Sequence, residues 1–238
     1  MQAVQRQLAQ SPVKARVLPF IVFLLLTFLQ GSFGEASTYW MYAVKTAVGA
    51  WLIWLMRPYV AEMKWVLSPA AIGVGVGVFV LWVGLDGAYP HTDALFAKVG
   101  LGKAKTAAEI EAAAWNPPAF FGGGSALALF FIGIRIVGSS LVVPPLEEVF
   151  FRSFLYRFIA KPHFEQVPLG QFLWTPFLVT ALFFGFEHQQ WLAGILCGFA
   201  YQGLVCWKKR LGDAITAHAI TNLLLGIHVV YRGAWQFW

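Results

Sequence analysis

The second half of this chain carries charged and amide side chains in a sequence that is otherwise apolar. Three short motifs hold them: Glu-Glu-x-x-x-Arg at 147–152, Phe-x-x-x-His at 184–188 and His-x-x-x-Asn at 218–222. A charged side chain near the centre of a bilayer costs about 2.5–3.5 kcal/mol, so three unpaired charges would cost roughly 8–10 kcal/mol, comparable to the stability of a whole domain. Such residues are expected to pair with one another and to perform a function.

The spacing within two motifs predicts which side chains share a helix face. Glu148 and Arg152 lie four residues apart, with the acid before the base, which is the favourable order for an ion pair. Glu147 is rotated by about 100° from its neighbour and is therefore left free. His218 and Asn222 are also four residues apart and share a face of the last apolar segment.

Together these residue types could hydrolyse an amide bond. A carboxylate beside a histidine can hold and deprotonate a water molecule. A second histidine and an asparagine can donate hydrogen bonds to the oxyanion that forms when this water attacks a carbonyl group. A glutamate with two histidines could instead bind zinc and leave one position open for water. The chain has neither the His-Glu-x-x-His motif of zinc proteases nor Gly-x-Ser-x-Gly, so both hydrolytic routes remain open.

Each motif alone also has a structural explanation. An asparagine in a membrane helix often only joins two helices, for about 0.6 kcal/mol. The alternative function is therefore a membrane transporter or an assembly factor, including an inactive protease, that uses the same buried polar cluster. Inverted-repeat transporters have matching broken helices in both halves, whereas here the polar residues cluster in the second half only.

Composition predicts an integral membrane protein. Hydrophobic residues make up 59% of the 238 residues and charged residues 12%, against about 25% in ordinary soluble domains. We predict an all-α fold with one membrane domain, in contact with the lipid bilayer and without a nucleic-acid partner, because the net charge of +6 is spread over short loops. Cys197 and Cys206 lie in one apolar run and are predicted to be buried free thiols.

About eight apolar segments predict about eight transmembrane helices. They cover approximately residues 17–33, 39–56, 65–85, 125–143, 146–159, 172–187, 191–207 and 211–231. The first is expected to be an uncleaved helix rather than a signal peptide. Pro144 and Pro145 are expected to end the fourth helix, because proline cannot continue the hydrogen-bond ladder.

One polar stretch, residues 86–118, is the only sizeable extramembrane loop. We expect it to be a plain connector rather than a lid, with a short surface helix at about 106–114. The loop divides the single membrane domain, residues 1–238, into N-terminal helices with this loop (1–118) and a catalytic helical core (119–238).

Several other residues are expected to be structural. The pairs Gly73/Gly77 and Gly194/Gly198 have the spacing of close helix contacts. Lys45 lies one turn into the second segment, where it can snorkel towards water. Arg135 and Glu187 could pair or line a cavity, but a structural or snorkelling role is favoured for both.

The charge pattern does not settle the membrane orientation. Basic residues precede the first segment and none follow it in the next loop, which places the N-terminus in the cytoplasm. With eight helices, however, the basic residues 208–210 would then lie outside, against the same rule. Either one segment does not cross the membrane, or the number of segments is wrong by one.

In their order and spacing, the three motifs resemble the signature of the CAAX-protease and bacteriocin-processing family of intramembrane endopeptidases. This family includes the type II CAAX prenyl endopeptidases. The resemblance covers about residues 144–225. It implies that the ion pair of Glu148 with Arg152 orients the neighbouring groups.

The same resemblance implies catalytic roles for four residues. Glu147 and His188 would activate the hydrolytic water, and His218 and Asn222 would stabilise the oxyanion. In the alternative mechanism, Glu147, His188 and His218 would hold a divalent metal such as zinc. Family members have been described both as metalloproteases and as glutamate-dependent enzymes, and we expect water activation that requires no cofactor.

The resemblance also bears on substrate and location. It implies cleavage of a membrane-associated peptide or protein, and whether a prenyl group is recognised stays open because no residue here indicates isoprenoid binding. The compact, short-loop organisation fits a homologue in the bacterial inner (cell) membrane.

Overall fold

The computed structural model describes residues 2–238, and their side chains from residue 5 onward except at position 107. These residues fold as an all-α protein, as predicted. The α-helices are α1 (Gln2–Ala9), α2 (Pro12–Phe28), α3 (Ser37–Met56), α4 (Pro69–Gly84), α5 (Thr92–Lys98), α6 (Ala107–Ala113), α7 (Pro117–Phe121), α8 (Ala126–Val137), α9 (Val143–Glu148), α10 (Tyr156–Ala160), α11 (Trp174–Phe186), α12 (Trp191–Lys208) and α13 (Gly212–Arg232).

Serine residues start three of the longer helices. The hydroxyl oxygens of Ser11, Ser68 and Ser125 each accept a hydrogen bond from the backbone N–H three residues later. Serine at this position satisfies a backbone donor that has no partner within the helix. Pro12 and Pro69 follow the first two serines, where the missing N–H of proline costs nothing.

The fourth and fifth predicted segments form one continuous helical run, Ala126–Ala160. Two π-helical stretches, Gly138–Val142 and Val149–Leu155, separate α8, α9 and α10 within it. The prediction that Pro144 and Pro145 end the fourth helix is therefore wrong.

The first π-helical stretch explains how the prolines fit. The N–H of Val143 donates to the carbonyl oxygen of Gly138, five residues earlier, instead of to that of Ser139. Proline at 144 has no N–H to offer Ser139 in turn. The wide turn thus lets the helix continue, but it leaves the carbonyl oxygen of Ser139 without a partner on its own helix.

At one end of the molecule, the helix ends are joined by a buried charge cluster. A guanidinium nitrogen of Arg16, near the start of α2, lies 2.7 Å from Oε1 of Glu62, which sits between α3 and α4. Arg157, in the last turn of the run, approaches the same carboxylate at 3.5 Å. Ser153 also donates its hydroxyl hydrogen to Glu62.

At the opposite end, residues 86–118 pack against the helix ends. The hydroxyl group of Thr92 donates to the carbonyl oxygen of His188 at 2.7 Å, and Nε1 of Trp115 donates to the carbonyl oxygen of Thr38 at 3.1 Å. The short helix predicted in this loop is confirmed as α6. Because the loop holds the turn after α11, it is more than the plain connector that we expected.

The long run also removes the conflict in the charge pattern. Counted once, it leaves seven apolar helical bodies in the described chain, and their directions alternate between the two ends. Lys209, after α12, donates to the carbonyl oxygen of Gly170, before α11, at 2.7 Å. The basic residues 208–210 therefore lie at the same end as Arg16 and Arg157, and the positive-inside rule predicts that this end faces the cytoplasm.

The surface of the helices is suited to lipid. By length and composition, two helical stretches of the described chain could cross a membrane, namely Ala126–Ala160 and Gly212–Arg232. Leu127, Leu129 and Phe130 project from the first of them with more than half of their surface exposed. An apolar surface of this kind is favourable only where lipid or another protein covers it.

Helix α4 packs closely on α13 through a glycine that the sequence did not single out. A Cβ atom added to Gly75 would lie 2.6 Å from the carbonyl oxygen of Ala217. Gly73 and Gly77 have open space at the same position, so the predicted contact through that pair is wrong. The contact is instead made by the face of α4 that carries Gly75.

The predicted contact through the second glycine pair is confirmed. A Cβ atom on Gly194 would lie 2.9 Å from Cα of Gly185, and one on Gly198 would lie 3.0 Å from Cα of Ala181. Helices α11 and α12 therefore pack backbone to backbone. Cys197 on α12 is a buried free thiol as predicted, and Cys206 is free but only half-buried.

Candidate active site

A single cavity of about 690 Å³ gathers the four residues predicted to be catalytic. Glu147, His188, His218 and Asn222 all line it, although they come from three separate parts of the chain. Most of its other lining residues are aromatic or aliphatic side chains, and α2 supplies four of them. We call it the site cavity.

Glu147 presents a free carboxylate to the site cavity. Its side chain is 13% exposed, and Oε2 lies 3.9 Å from Nε2 of His218. Within the described part of the chain, Oε2 is buried and has no hydrogen-bond partner. The distance is too long for a direct hydrogen bond, but it suits one water molecule that contacts both groups.

Glu148 points away from its neighbour and is shared by two partners. Its Oε2 lies 3.2 Å from Nε of Arg152, and both side chains are almost completely buried. Its Oε1 accepts a hydrogen bond from Nδ1–H of His218 at 2.9 Å. The predicted ion pair is confirmed, and the bond to His218 is an addition that the spacing did not predict.

Aromatic rings surround the other side of Arg152. Its Cζ lies 4.2 Å from the centroid of the Phe184 ring and 5.7 Å from that of Tyr201. No described residue forms a well-aligned hydrogen bond with its guanidinium nitrogens. The cation is therefore held by Glu148 and by aromatic faces, and loss of either charge would leave the other buried without a partner.

His188 lies in the turn after α11. Its Nδ1–H donates to the carbonyl oxygen of Phe184 at 2.8 Å, since a carbonyl oxygen can only accept. In the neutral ring Nε2 is then the acceptor nitrogen. The edge of Trp82 packs against the ring, with centroids 5.2 Å apart, and Thr92 holds the backbone at this point.

Asn222 supplies the donor that the long helical run lacks. Its Nδ2 donates to the carbonyl oxygen of Ser139 at 2.8 Å. This is the carbonyl group left unpaired by the π-helical turn before Pro144. One N–H of the Asn222 amide remains for a ligand, so the residue joins two helices and can also serve the site.

Three residues that the sequence analysis missed hold the ring of His218. Tyr201 stacks on it, with centroids 5.1 Å apart and an interplanar angle of 26°. The Tyr201 hydroxyl donates to Oγ1 of Thr221 at 2.7 Å, and Thr221 donates to the carbonyl oxygen of Gly75 at 2.8 Å. Thr221 lies within the third motif, but Tyr201 and Gly75 have no sequence signal that points to His218.

Three charged residues outside the motifs also line the site cavity. Lys45 is only 6% exposed and donates to Oγ1 of Thr27 at 3.1 Å, so the prediction that it snorkels is wrong. The face of α3 that carries Tyr42 and Lys45 lines the cavity, whereas Trp40 and Val44 on the same helix are exposed. Arg135 and Glu187 line the cavity as well, and they form no ion pair with each other in the described chain.

The predicted metal ligands do not assemble as a set. Within residues 2–238, no group of three or more His, Cys, Asp or Glu side chains is placed to hold a metal ion. Nδ1–H of His188 and Nδ1–H of His218 donate to Phe184 and Glu148, which leaves Nε2 as the available nitrogen of each ring. Glu147 and the two histidines are therefore not gathered around one point in the described chain, and the zinc site stays a prediction.

The fold and the site cavity define an all-α membrane protein with a buried carboxylate–histidine site. Residues 125–224 match the family model described as Rce1-like, type II CAAX prenyl endopeptidase Rce1-like. This part of the chain holds all three motifs, and the match agrees with the family that the motifs predicted. Comparison with curated proteins and with solved structures gave no match. At the level of the family, the match implies a CAAX-type membrane endopeptidase.

Proposed function

We propose that this protein is an intramembrane endopeptidase that hydrolyses a peptide bond in a membrane-associated peptide or protein. The observation that carries the proposal is the pairing of Glu147 with His218. A carboxylate oxygen without a partner faces a ring nitrogen 3.9 Å away in a buried cavity. Such a pair can hold one water molecule between an acceptor and a second polar group.

Glu147 is the general base in this mechanism. Its Oε2 accepts a proton from the water while the water oxygen attacks the carbonyl carbon of the substrate. Glu147 then returns that proton to the leaving nitrogen, and the C–N bond breaks. Nε2 of His188, left as an acceptor by the bond from Nδ1–H to Phe184, is a further group that orients the water.

His218 and Asn222 are the proposed donors to the oxyanion. Nδ1–H of His218 is fixed by Glu148, so that Nε2 faces the cavity and donates when the ring is protonated. The second N–H of Asn222 is the other donor, because Ser139 uses the first. Fixed donors of this type stabilise the charge that develops in the transition state.

We propose that this water activation needs no metal ion. The proposal is supported by the positions of Glu147, His188 and His218, which form no set placed to hold a metal ion, and by the mechanism above, in which Glu147 carries the proton from the water to the leaving nitrogen. A chelator should therefore leave cleavage unchanged, and purified active protein should contain no stoichiometric metal. Loss of cleavage on chelation, with recovery on adding zinc, would contradict this part of the proposal.

The test is cleavage of a peptide library by purified protein. Glu147→Gln and His188→Ala should each lower cleavage by about 10²-fold or more, the usual contribution of an acid–base group. Glu109→Gln is the matched control, because Glu109 lies in the exposed loop helix α6. The melting temperature of Glu147→Gln should stay near that of the wild type, since its carboxylate has no partner to lose.

Survival of cleavage in both variants would show that this hydrolytic mechanism is wrong. Absence of cleavage by the wild type, together with solute flux driven by a pH gradient, would favour the transporter alternative. The same buried polar cluster would then carry protons rather than activate water.

A further inference from the structure

Lys45 and Arg135 place two cations side by side in the wall of the site cavity. Nζ of Lys45 lies 4.6 Å from the centroid of the Tyr42 ring, and Cζ of Arg135 lies 4.8 Å from the same centroid. Neither forms an ion pair with any carboxylate of the described residues. Two basic side chains thus contact one aromatic ring, and no carboxylate of the described residues lies within ion-pair distance of either.

The hydrogen bonds of the two side chains are also incomplete. Lys45 donates only to Oγ1 of Thr27 within the described chain, although an ammonium group has three donors. The guanidinium group of Arg135 donates to no described residue and is held by aromatic rings, with Trp115 at 4.7 Å from Cζ. Cation–π contacts of about 2 kcal/mol do not replace the hydration of a buried Lys45 and a half-buried Arg135.

Two acids line the same cavity. Glu147 faces His218, and Glu187 follows α11. Neither acid forms an ion pair with Lys45 or Arg135 in the described chain, so the two basic side chains are available to an anion that enters the cavity. Arginine is well suited to this role, since its planar group can bind both oxygens of a carboxylate.

We propose that Lys45 and Arg135 form an anion subsite that binds a carboxylate of the peptide substrate, at its free end or on a side chain. This inference rests on the proposed endopeptidase function. Arg135 and Glu147 are twelve residues apart on one helical run, which separates them by about 18 Å along the axis. An extended peptide covers about 3.3–3.6 Å per residue, so the bound carboxylate lies within about five residues of the bond that is cleaved.

The test uses peptides in matched pairs that differ only in one carboxylate. One pair has a C-terminal acid or amide, and the other has Glu or Gln within five residues of the cleaved bond. The wild type should cleave the charged member of one pair with a kcat/KM at least about tenfold higher, equivalent to roughly 1.4 kcal/mol. The pair that shows the preference identifies the source of the carboxylate.

Removal of either cation should abolish this preference. Lys45→Met and Arg135→Gln should lower kcat/KM for the charged peptide more than for the neutral peptide, so that the ratio of the two values falls towards one. Lys45→Arg and Arg135→Lys should retain part of the preference. Because they keep the positive charge, they still test the subsite if a neutral variant does not fold. Lys64→Met and Arg232→Gln, both at exposed positions, are matched controls that should keep the wild-type preference.

Binding of the same peptides to the Glu147→Gln variant separates the subsite from catalysis. Tighter binding of the charged peptide, lost in a Glu147→Gln/Lys45→Met double variant, supports the subsite even if no peptide is cleaved. Equal cleavage and equal binding of both members of each pair would overturn the subsite while leaving the endopeptidase function intact. A Lys45→Met effect that depends on anionic lipid in the bilayer, but not on the peptide, would assign the subsite to a lipid phosphate and also overturn the proposal.

Discussion

The side-chain amide of Asn222 on α13 donates to the backbone carbonyl of Ser139 at 2.8 Å, across 83 residues of sequence. The carbonyl needs this donor because the N–H of Val143 bonds to Gly138 and Pro144 has no N–H. A residue of the third motif therefore completes the backbone of the helix that carries the first motif. Its role in the site and its role in the fold depend on one amide group.

This relationship predicts a coupling between Asn222 and Pro144. Asn222→Ala should lower stability by about 1–3 kcal/mol, because the half-buried Ser139 carbonyl loses the donor that Asn222 supplies. Pro144→Ala restores an N–H that can reach Ser139 in the π-helical pattern, so the cost of Asn222→Ala should fall by about 1 kcal/mol in that background. Unfolding of the wild type, the two single variants and the double variant, each purified in mixed micelles, gives the coupling energy. Asn116→Ala, a loop change of the same kind, should show none with Pro144→Ala.

The three-way contact of Glu148, Arg152 and His218 predicts that stability and activity can be separated. Arg152→Met should destabilise the protein by about 3–5 kcal/mol, because Glu148 stays buried without its cation. Adding Glu148→Met should recover most of that stability, since apolar side chains of similar volume replace the pair. Cleavage should remain lost, because His218 no longer has an acceptor for Nδ1–H. Recovery of cleavage together with stability would show that Glu148 does not position His218.

The carboxyl group of Glu62, between α3 and α4, predicts that the stability of the protein falls at acidic pH. Burial raises the pKa of its carboxyl group, but the hydrogen bond from Ser153 and the charge of Arg16 outweigh burial and hold the pKa below its usual value of 4.5. A pKa lowered by folding adds stability that is present above pH 4.5 and is lost as the pH falls through the folded-state value.

The matched variant for this prediction is Glu62→Gln. It should be less stable than the wild type at pH 7 by about 1.5–3 kcal/mol, the range for hydrogen bonds to charged groups. The difference in melting temperature should shrink as the pH is lowered below 4.5. Glu165→Gln, at an exposed position near the same end, should leave the pH profile unchanged. A constant difference between Glu62→Gln and wild type at all pH values would contradict the prediction.

The charge distribution predicts the membrane orientation. Lys103 lies in the loop 86–118 and Lys161 follows the long run at the basic end, and both are exposed. In a background without the two native cysteines, Lys103→Cys should react with an impermeant maleimide in intact cells. Lys161→Cys should react only after permeabilisation, because the positive-inside rule places it in the cytoplasm. The reverse labelling pattern would invert the orientation.

Contacts within one or two helix turns were predictable from sequence. The ion pair of Glu148 with Arg152 depends on local spacing alone, and so does the shared face of His218 and Asn222. The bond from His218 to Glu148 was not predictable, because 70 residues separate them and spacing says nothing about how two distant helices face each other.

The errors have physical causes as well. A local rule ends a helix at Pro144, but a wide turn and a donor from α13 supply what proline removes. Lys45 has the position of a snorkelling residue, and only the packing of α3 shows that its side chain faces a cavity. Gly75 and Gly77 differ in sequence by two positions, yet only Gly75 meets α13.

The local ion pair also bears on how the chain enters the bilayer during synthesis. Glu148 and Arg152 lie one turn apart on the same helix, so they can neutralise each other as soon as that helix forms. The helix then passes through the insertion machinery with these opposite charges cancelled, long before His218 leaves the ribosome. The last helix is inserted afterwards, and its His218 then becomes the second partner of Glu148. The two charges are therefore inserted as an ion pair before Glu148 takes its place in the site.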